Sequence, residues 1–389
     1  MWAVGARAGV AQAQTPFPQW LRVCVFAALA PLFILLSPAT PALGQSEAGW
    51  SFENDAFADL WFHGLAVLGL HGFGPMPLYD PAYTLASRAE RNAAGLEPTP
   101  LEERRAEFLG LFQRDEAFEI LHFVPLYFGG ASVEASLKAL SDVASTAEGV
   151  PSFTAETRLG GSVVASVLGS PAQRRTLGTF LEALSAEWQD VVAPRRERGT
   201  QARADLVRQL EARWTEDWAS PLADFLAAEG FDRGSAVAVE ALGSEGRFLE
   251  NHPTRPGHPL VAVGLGQGDA GLDAALSSLV REMCYPAVRR AFGPFEGRFQ
   301  DRIDASRASD LAATRCGELL LQEHVPDKVA VYRARFGLPR EGSGSGFLST
   351  SGNLAGVAAW ESQLDAALLR ELNFDPDEAR ASARPVGRN

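Results

Sequence analysis

The chain has 389 residues, of which 46% are hydrophobic and 21% are charged. That balance is typical of a globular protein with a substantial core and excludes a chain that is disordered along its length. The formal net charge at pH 7 is −13. An excess of carboxylates is repelled by phosphate backbones and by anionic lipid surfaces, so the composition argues against nucleic acid or a membrane surface as a partner.

Residues 1–44 have the pattern of a signal peptide. Two arginines precede the apolar run VCVFAALAPLFILL, and small residues precede Gln45. The run has 14 residues and contains Pro31, whereas a helix that spans a bilayer needs about 20 residues. We therefore expect cleavage before Gln45, export to the periplasm or the extracellular space, and no membrane insertion afterwards; a retained anchor is the alternative. Loss of the two arginines takes the formal charge from −13 to −15.

Cleavage would also remove Cys24 and leave Cys284 and Cys316 as the cysteines of the mature chain. Two cysteines in an oxidising compartment are candidates for a disulfide. With 31 residues between them, such a bond would stabilise the fold by about 3–4 kcal/mol on the loop-entropy model. The alternative is that both are small buried hydrophobic residues.

Helical spacing of apolar residues dominates the rest of the chain. It predicts a first helix over about 54–70 and further helices over about 101–112, 131–147, 171–192, 201–229, 308–336 and 354–372. Two segments depart from this pattern. Residues 119–128 are rich in aromatic and branched residues and predict an edge strand, because Pro125 could not donate in a sheet interior. The charged run of residues 194–203 predicts a solvated turn.

The segments SAVAVEAL and PLVAVGL predict two strands joined by a long polar connection. A helix follows them, and a second long helix comes after it. We therefore expect an α+β fold that is predominantly helical, with a small and mostly antiparallel sheet beside the first of these helices. The expected organisation is one globular domain over residues 45–375 and a flexible tail over residues 376–389.

The first of these helices carries the stretch LVREMCYPAV, from Leu279 to Val288. Arg281 and Tyr285 lie on the side of the helix opposite an apolar stripe, where they could be surface residues. The stripe consists of Leu272, Leu276, Leu279, Val280, Met283 and Ala287. Pro286 has no amide hydrogen for the carbonyl of Glu282, so the helix should kink or end there.

The order of strand, strand, helix with VREMCYP and second long helix, over about residues 234–340, resembles zinc-dependent peptidases of the gluzincin type and secreted metallopeptidase-like proteins. In H-E-x-x-H, two histidines one turn apart bind zinc and the glutamate activates the metal-bound water. The resemblance therefore implies a zincin-like helix on which Glu282 corresponds to the general base, and positions 281 and 285 correspond to the zinc ligands.

Both ligand positions have changed. Arg281 cannot be deprotonated and would repel a cation, and the protonated phenol of Tyr285 is a poor ligand, so we expect no metal. The guanidinium could instead replace the zinc charge by pairing with the acid that would have been the third ligand. Glu318 on the following helix is the candidate for that acid, and it would be close to the old site if Cys284 and Cys316 meet.

Three functions follow as hypotheses. The leading one is an exported metallopeptidase-like protein that has lost its zinc site and has a binding or structural role, with a peptide or protein as partner. The second is an active peptidase-like hydrolase with Glu282 as general base and zinc bound by atypical ligands, with Cys284, His252 and His258 as candidates. The third is a helical scaffold or interaction protein unrelated to peptidases, in which Glu282 would be exposed.

Overall fold

The computed structural model of the chain describes residues 49–70, 77–113, 120–146, 151–255, 257–265, 268–298, 302–338 and 358–374. The predicted signal peptide at residues 1–44 and the predicted tail at residues 376–389 lie outside these ranges. Among the residues described, no helix has both the length and the apolar character needed to cross a membrane.

The first strand and first helix lie close together in the chain. Strand β1 is Trp50–Glu53, and helix α1 is Ala56–Val67, which confirms the first predicted helix. Asp55 caps α1 by accepting a hydrogen bond of 2.9 Å from the amide of Ala58. The helices that follow are α2 (Pro81–Ala93), α3 (Pro100–Glu103), α4 (Arg105–Gln113), α5 (Val124–Phe128), α6 (Val133–Ser145), α7 (Arg158–Val167) and α8 (Pro171–Glu187).

The prediction of an edge strand at residues 119–128 is wrong, because the described residues of this segment form turns and helix α5. Pro125 lies in the first turn of α5, where a missing amide hydrogen has no cost, and Gly129 ends the helix in the left-handed region at φ 47°. The aromatic and branched side chains that suggested a strand are instead buried among helices.

The solvated turn predicted at residues 194–203 is also wrong, because the chain stays helical there. A π-helical turn, Trp188–Val192, joins α8 to α9 (Ala193–Arg213), and a second, Trp214–Trp218, precedes α10 (Ala223–Glu229). Within this run, Arg203 donates to Asp59 of α1 and to Glu240, each at 2.6 Å. These ion pairs fasten α9 across the fold.

The sheet is mixed rather than mostly antiparallel, which corrects the expectation from the sequence. Its strands are β1, β2 (Gly234–Val239), β3 (Arg247–Leu249) and β4 (Leu260–Gly264), in the order β1-β2-β4-β3. The pairs β1–β2 and β2–β4 are parallel, and only the short β3 runs antiparallel to β4. The polar connection between the two predicted strands thus supplies a third strand.

Each face of the sheet covers a separate hydrophobic core. Alternation along β2 sends Ala236 and Ala238 to one face and Val237 and Val239 to the other. The valine face packs against helices from the first half of the chain. The alanine face packs against α9, α10 and the C-terminal helices.

The C-terminal helices carry the motif. They are α11 (Gly268–Met283), α12 (Tyr285–Phe292), α13 (Arg302–His324), α14 (Val329–Phe336) and α15 (Ala358–Glu371), with short 3-10 turns at Gly293–Arg298 and Pro326–Lys328. The helix predicted over residues 308–336 is therefore two helices, since Pro326 interrupts it. A predominantly helical α+β fold is confirmed.

Candidate functional site

The motif lies at the junction of α11 and α12. Helix α11 ends at Met283, and the amide of Cys284 bonds the carbonyl of Arg281 at 3.1 Å in a tightened last turn. Pro286 lies in the first turn of α12 and has no amide hydrogen for the carbonyl of Glu282. The predicted break at Pro286 is confirmed, and it places Arg281 and Glu282 in the final turn of one helix.

Arg281 is wholly buried, at 0% exposure, so the surface interpretation of this residue is wrong. Its Nε donates to Thr314 Oγ1 at 3.1 Å, and one Nη donates to Glu282 Oε1. Its other Nη lies 3.6 Å from Asp310 Oδ1 and 3.4 Å from the carbonyl oxygen of Asp310. The guanidinium therefore joins the end of α11 to α13 through two carboxylates and a hydroxyl.

Tyr285 completes this convergence. Its hydroxyl donates to Asp310 Oδ1 at 2.6 Å, and the Arg281 guanidinium lies 5.5 Å from the centre of its ring. Burial holds the pKa of the Tyr285 phenol above its usual range, so the phenol stays protonated and donates. Positions 281, 285 and 310 thus bring their side chains to one point.

Glu282 lies beside that point, at 2% exposure. Its Oε1 accepts from the amide of Gly246 at 3.0 Å as well as from Arg281. Burial raises the pKa of Glu282, and the positive charge of Arg281 partly offsets the rise. The scaffold hypothesis expected an exposed Glu282, and the structure contradicts that expectation.

A second buried ion pair borders Glu282 at the sheet edge. Arg247 donates to Glu245 Oε1 at 2.5 Å and to the carbonyl of Gly246 at 2.8 Å. The Glu245 charge also raises the pKa of Glu282 and of Asp310. The cluster, defined as Glu245, Arg247, Arg281, Glu282 and Asp310, has three carboxylates and two guanidinium groups.

The backbone amide of Gly246 donates a hydrogen bond to this cluster, at Glu282 Oε1. A Cβ at this position would lie 2.7 Å from the carbonyl oxygen of Ala262 and 2.7 Å from Glu282 Cγ. We expect Gly246→Ala to lower the free energy of unfolding by about 1–3 kcal/mol, because the added methyl group would overlap the strand backbone at Ala262 and the buried side chain of Glu282. Urea denaturation measures this change.

The control for that variant is Gly199→Ala in α9, where a Cβ meets nothing within 4 Å. Replacing a helical glycine there should stabilise the protein by up to about 1 kcal/mol. Equal effects of the two substitutions would show that close packing at Gly246 is unimportant.

The acid partner predicted for Arg281 needs correction. Glu318 accepts from Arg315 and from Arg333, each at 2.6 Å, while the acid on α13 that meets Arg281 is Asp310. The two acids are eight residues apart, which rotates one from the other by about 80° around the helix at 3.6 residues per turn. Glu318 therefore faces α14 rather than α11.

The cysteines and histidines named from the sequence have other surroundings. Cys284 and Cys316 are both free thiols in the core on the alanine face of the sheet. His252 and His258 belong to the loop between β3 and β4: His252 donates its amide to the carbonyl of His258 at 2.6 Å, and His258 Nε2 lies 3.2 Å from Ser235 Oγ. Within the described ranges, no three His, Cys, Asp or Glu side chains are grouped so that they could hold a metal ion.

Reasoning from the sequence missed Asp310, Thr314, Glu245 and Arg247. A signal existed for the first two, since they are four residues apart on the helix after the motif and therefore share a face. Glu245 and Arg247 belong to the segment that the sequence predicts as a polar connection between two strands. No protein-family model, no curated protein and no solved structure matches this chain.

Proposed function

We propose that the chain is an exported metallopeptidase-like protein in which Arg281 has replaced the zinc ion, and that its role is binding or structural. The observation that carries this proposal is the convergence of positions 281, 285 and 310 beside Glu282. These are the two motif positions that hold histidine in H-E-x-x-H and an acid on the following helix.

Charge supports the same proposal. A zinc ion would carry positive charge among the buried carboxylates, and the Arg281 guanidinium supplies positive charge at that point through hydrogen bonds to Glu282, Asp310 and Thr314. A guanidinium donates in fixed directions but cannot lower the pKa of a bound water or polarise a carbonyl as a metal does. The arrangement therefore favours a protein in which Arg281 holds the buried carboxylates in place and no hydrolysis is catalysed.

The alternative, an active hydrolase, needs Glu282 to take a proton from water. Its Oε1 already accepts from Arg281 and from the Gly246 amide, and the side chain is buried. A general base must be within hydrogen-bonding reach of its substrate, so these contacts favour the inactive form. A peptide or protein remains the proposed partner.

The test is zinc binding by the native chain and by a variant with the motif rebuilt. After dialysis against zinc-free buffer, the native protein should contain no zinc. Arg281→His combined with Tyr285→His restores H-E-x-x-H, and this double variant should bind about one zinc per chain. Adding Asp310→Asn should abolish the binding, whereas adding Glu318→Gln should leave it unchanged.

Either of two results would overturn the proposal. About one zinc in the native protein would favour the hydrolase, and peptide hydrolysis that is lost in Glu282→Gln would confirm it. Failure of the double variant to bind zinc, while circular dichroism shows a folded helical protein, would mean that the convergence does not reflect a former ligand set.

A further inference from the structure

A buried histidine joins three helices in the first half of the chain. His63 of α1 is at 0% exposure, and its Nε2 lies 3.0 Å from Glu187 Oε2, at the end of α8. Its Nδ1 lies 2.8 Å from the hydroxyl oxygen of Tyr83, on α2. These three side chains, called the His63 triad below, therefore form one continuous run of hydrogen bonds.

The charge of Glu187 fixes where the hydrogens of the His63 triad lie. Burial opposes ionisation of Glu187, but the hydrogen bond from His63 outweighs burial and holds the pKa of this carboxyl below its usual range. A carboxylate only accepts, so Nε2 of His63 carries the hydrogen. Burial lowers the pKa of His63, so its ring is neutral at pH 7 and its Nδ1 accepts. The Tyr83 hydroxyl therefore donates to His63.

The end of α8 positions both the acid and a nearby positive charge. Glu187 is the residue before the π-helical turn Trp188–Val192, and π-helical turns are frequent at functional sites. This turn leads into α9, whose first turn contains Arg195. The Arg195 guanidinium lies 5.0 Å from the centre of the Tyr83 ring. It would stabilise the negative charge that develops when the phenol loses its proton.

The order of groups in the His63 triad is that of a nucleophile, a base and an acid that orients the base. A hydroxyl within hydrogen-bonding reach of a histidine, which is in turn bonded to a carboxylate, is the arrangement that activates nucleophiles in enzymes. Tyr83 is partly exposed, whereas His63 and Glu187 are buried. The nucleophile is thus the member of the triad that meets solvent.

We propose that Tyr83 is a covalent acceptor site for acyl groups, with His63 as its general base and Glu187 as the group that orients His63. The substrate class is an activated carboxylic ester. An uncharged acyl group fits better than a phosphoryl group, since a chain with a net charge of −13 repels phosphate. This inference does not depend on the proposed function, because it involves none of the residues of the cluster around Arg281.

In the acylation step, Tyr83 Oη forms a bond to the carbonyl carbon of the ester as the bond from that carbon to the leaving oxygen breaks. The leaving group departs with the bonding electron pair, and the phenolic proton passes to His63 Nδ1. Glu187 stabilises the imidazolium, which then releases the proton to water. Burial raises the pKa of Tyr83, so phenolate is scarce and the reaction depends on the base.

The test treats the full chain with p-nitrophenyl acetate at pH 7.5 and follows the acetylated peptides by mass spectrometry. The internal reference is Tyr127 of α5, which is also partly exposed. We expect Tyr83 to be acetylated roughly 100-fold faster than Tyr127, because a general base contributes at least that factor. Tyr83→Phe keeps the ring beside Arg195 and should remove this label.

Two further variants separate base catalysis from simple exposure of the phenol. His63→Gln removes the base and should slow acetylation of Tyr83 by about 100-fold. Glu187→Gln keeps the shape of the side chain and should also slow it, because an amide does not stabilise an imidazolium; this variant decides alone if His63→Gln does not fold. Acetylation of Tyr83 no faster than that of Tyr127, or an unchanged rate in either variant while circular dichroism shows a folded protein, would refute the inference.

Discussion

Replacing Arg281 with Met should lower the free energy of unfolding by about 3–5 kcal/mol, because it removes one partner of a buried ion pair. Glu282 and Asp310 would then remain buried, with the nearest compensating charge withdrawn. Thr314 would also lose the donor to its hydroxyl. Urea denaturation at pH 7.5, followed by circular dichroism, measures the loss.

The matched control is Arg289→Met, one helix further along the chain. The Arg289 side chain is 60% exposed, and its partner Glu250 is 55% exposed, so this ion pair is screened by water. We expect a change within about 0.5 kcal/mol for the control. An Arg281 variant as stable as the Arg289 variant would show that the buried guanidinium does not hold the fold.

A double-mutant cycle identifies the partner of Arg281. Combining Arg281→Met with Asp310→Asn should cost less than the sum of the two single changes, since both changes remove the same contact between the two side chains. Combining Arg281→Met with Glu318→Gln should be additive, because Glu318 pairs with Arg315 and Arg333. Coupling to Glu318 instead would restore the pair predicted from the sequence.

Asp310 should make the protein less stable as the pH rises from about 4 to 7. Burial raises the pKa of Asp310 to about 7, from an ordinary value of 3.8, and the nearby Glu245 charge adds to the rise while Arg281 and Tyr285 oppose it. The folded state then binds a proton that the unfolded state has released, so the free energy of unfolding falls through this window. The full effect is on the order of 4 kcal/mol at 1.36 kcal/mol per pKa unit.

Buried histidines act in the opposite direction and must be separated from this effect. Burial lowers the pKa of His63 and of His122, so each favours folding more strongly as the pH rises towards its ordinary value of 6.5. The measured quantity is therefore the difference in unfolding free energy between the native protein and Asp310→Asn, at each pH from 4 to 8. As the pH rises, the unfolding free energy of the native protein should fall relative to that of Asp310→Asn. A difference that stays constant with pH would contradict the elevated pKa of Asp310.

The long helices were predictable because their apolar residues repeat at the helical period. Helix α1 and the break at Pro286 follow from local chemistry alone. The segment before Gly129 was not predictable in the same way, since a helix buried on nearly all sides has the same aromatic and branched composition as a buried strand. The relative directions of the strands could not be predicted either, because β1 pairs in parallel with a strand that is far away in the sequence.

The candidate site was predictable only in part. The sequence placed Arg281, Glu282 and Tyr285 together, because they are near neighbours in one motif. Burial of Arg281 depends on α13 and on the turn at Gly246, which the motif does not specify. Whether Asp310 or Glu318 meets Arg281 depends on how α13 is rotated about its own axis. The apolar residues of α13 are not confined to one face, so their spacing in the sequence does not determine that rotation.

The parallel pairing of β1 with β2 sets an order for folding. Ser51 and Ser235 lie side by side on these strands although 184 residues separate them in the chain. During synthesis, about 180 further residues must therefore be added after Trp50 and Phe52 before their neighbouring strand exists. Until β2 has been made, the helices from the first half of the chain also lack the valine face of the sheet, against which their core packs. Sheet closure should consequently be a late and slow event, because contacts between residues so far apart in sequence form slowly.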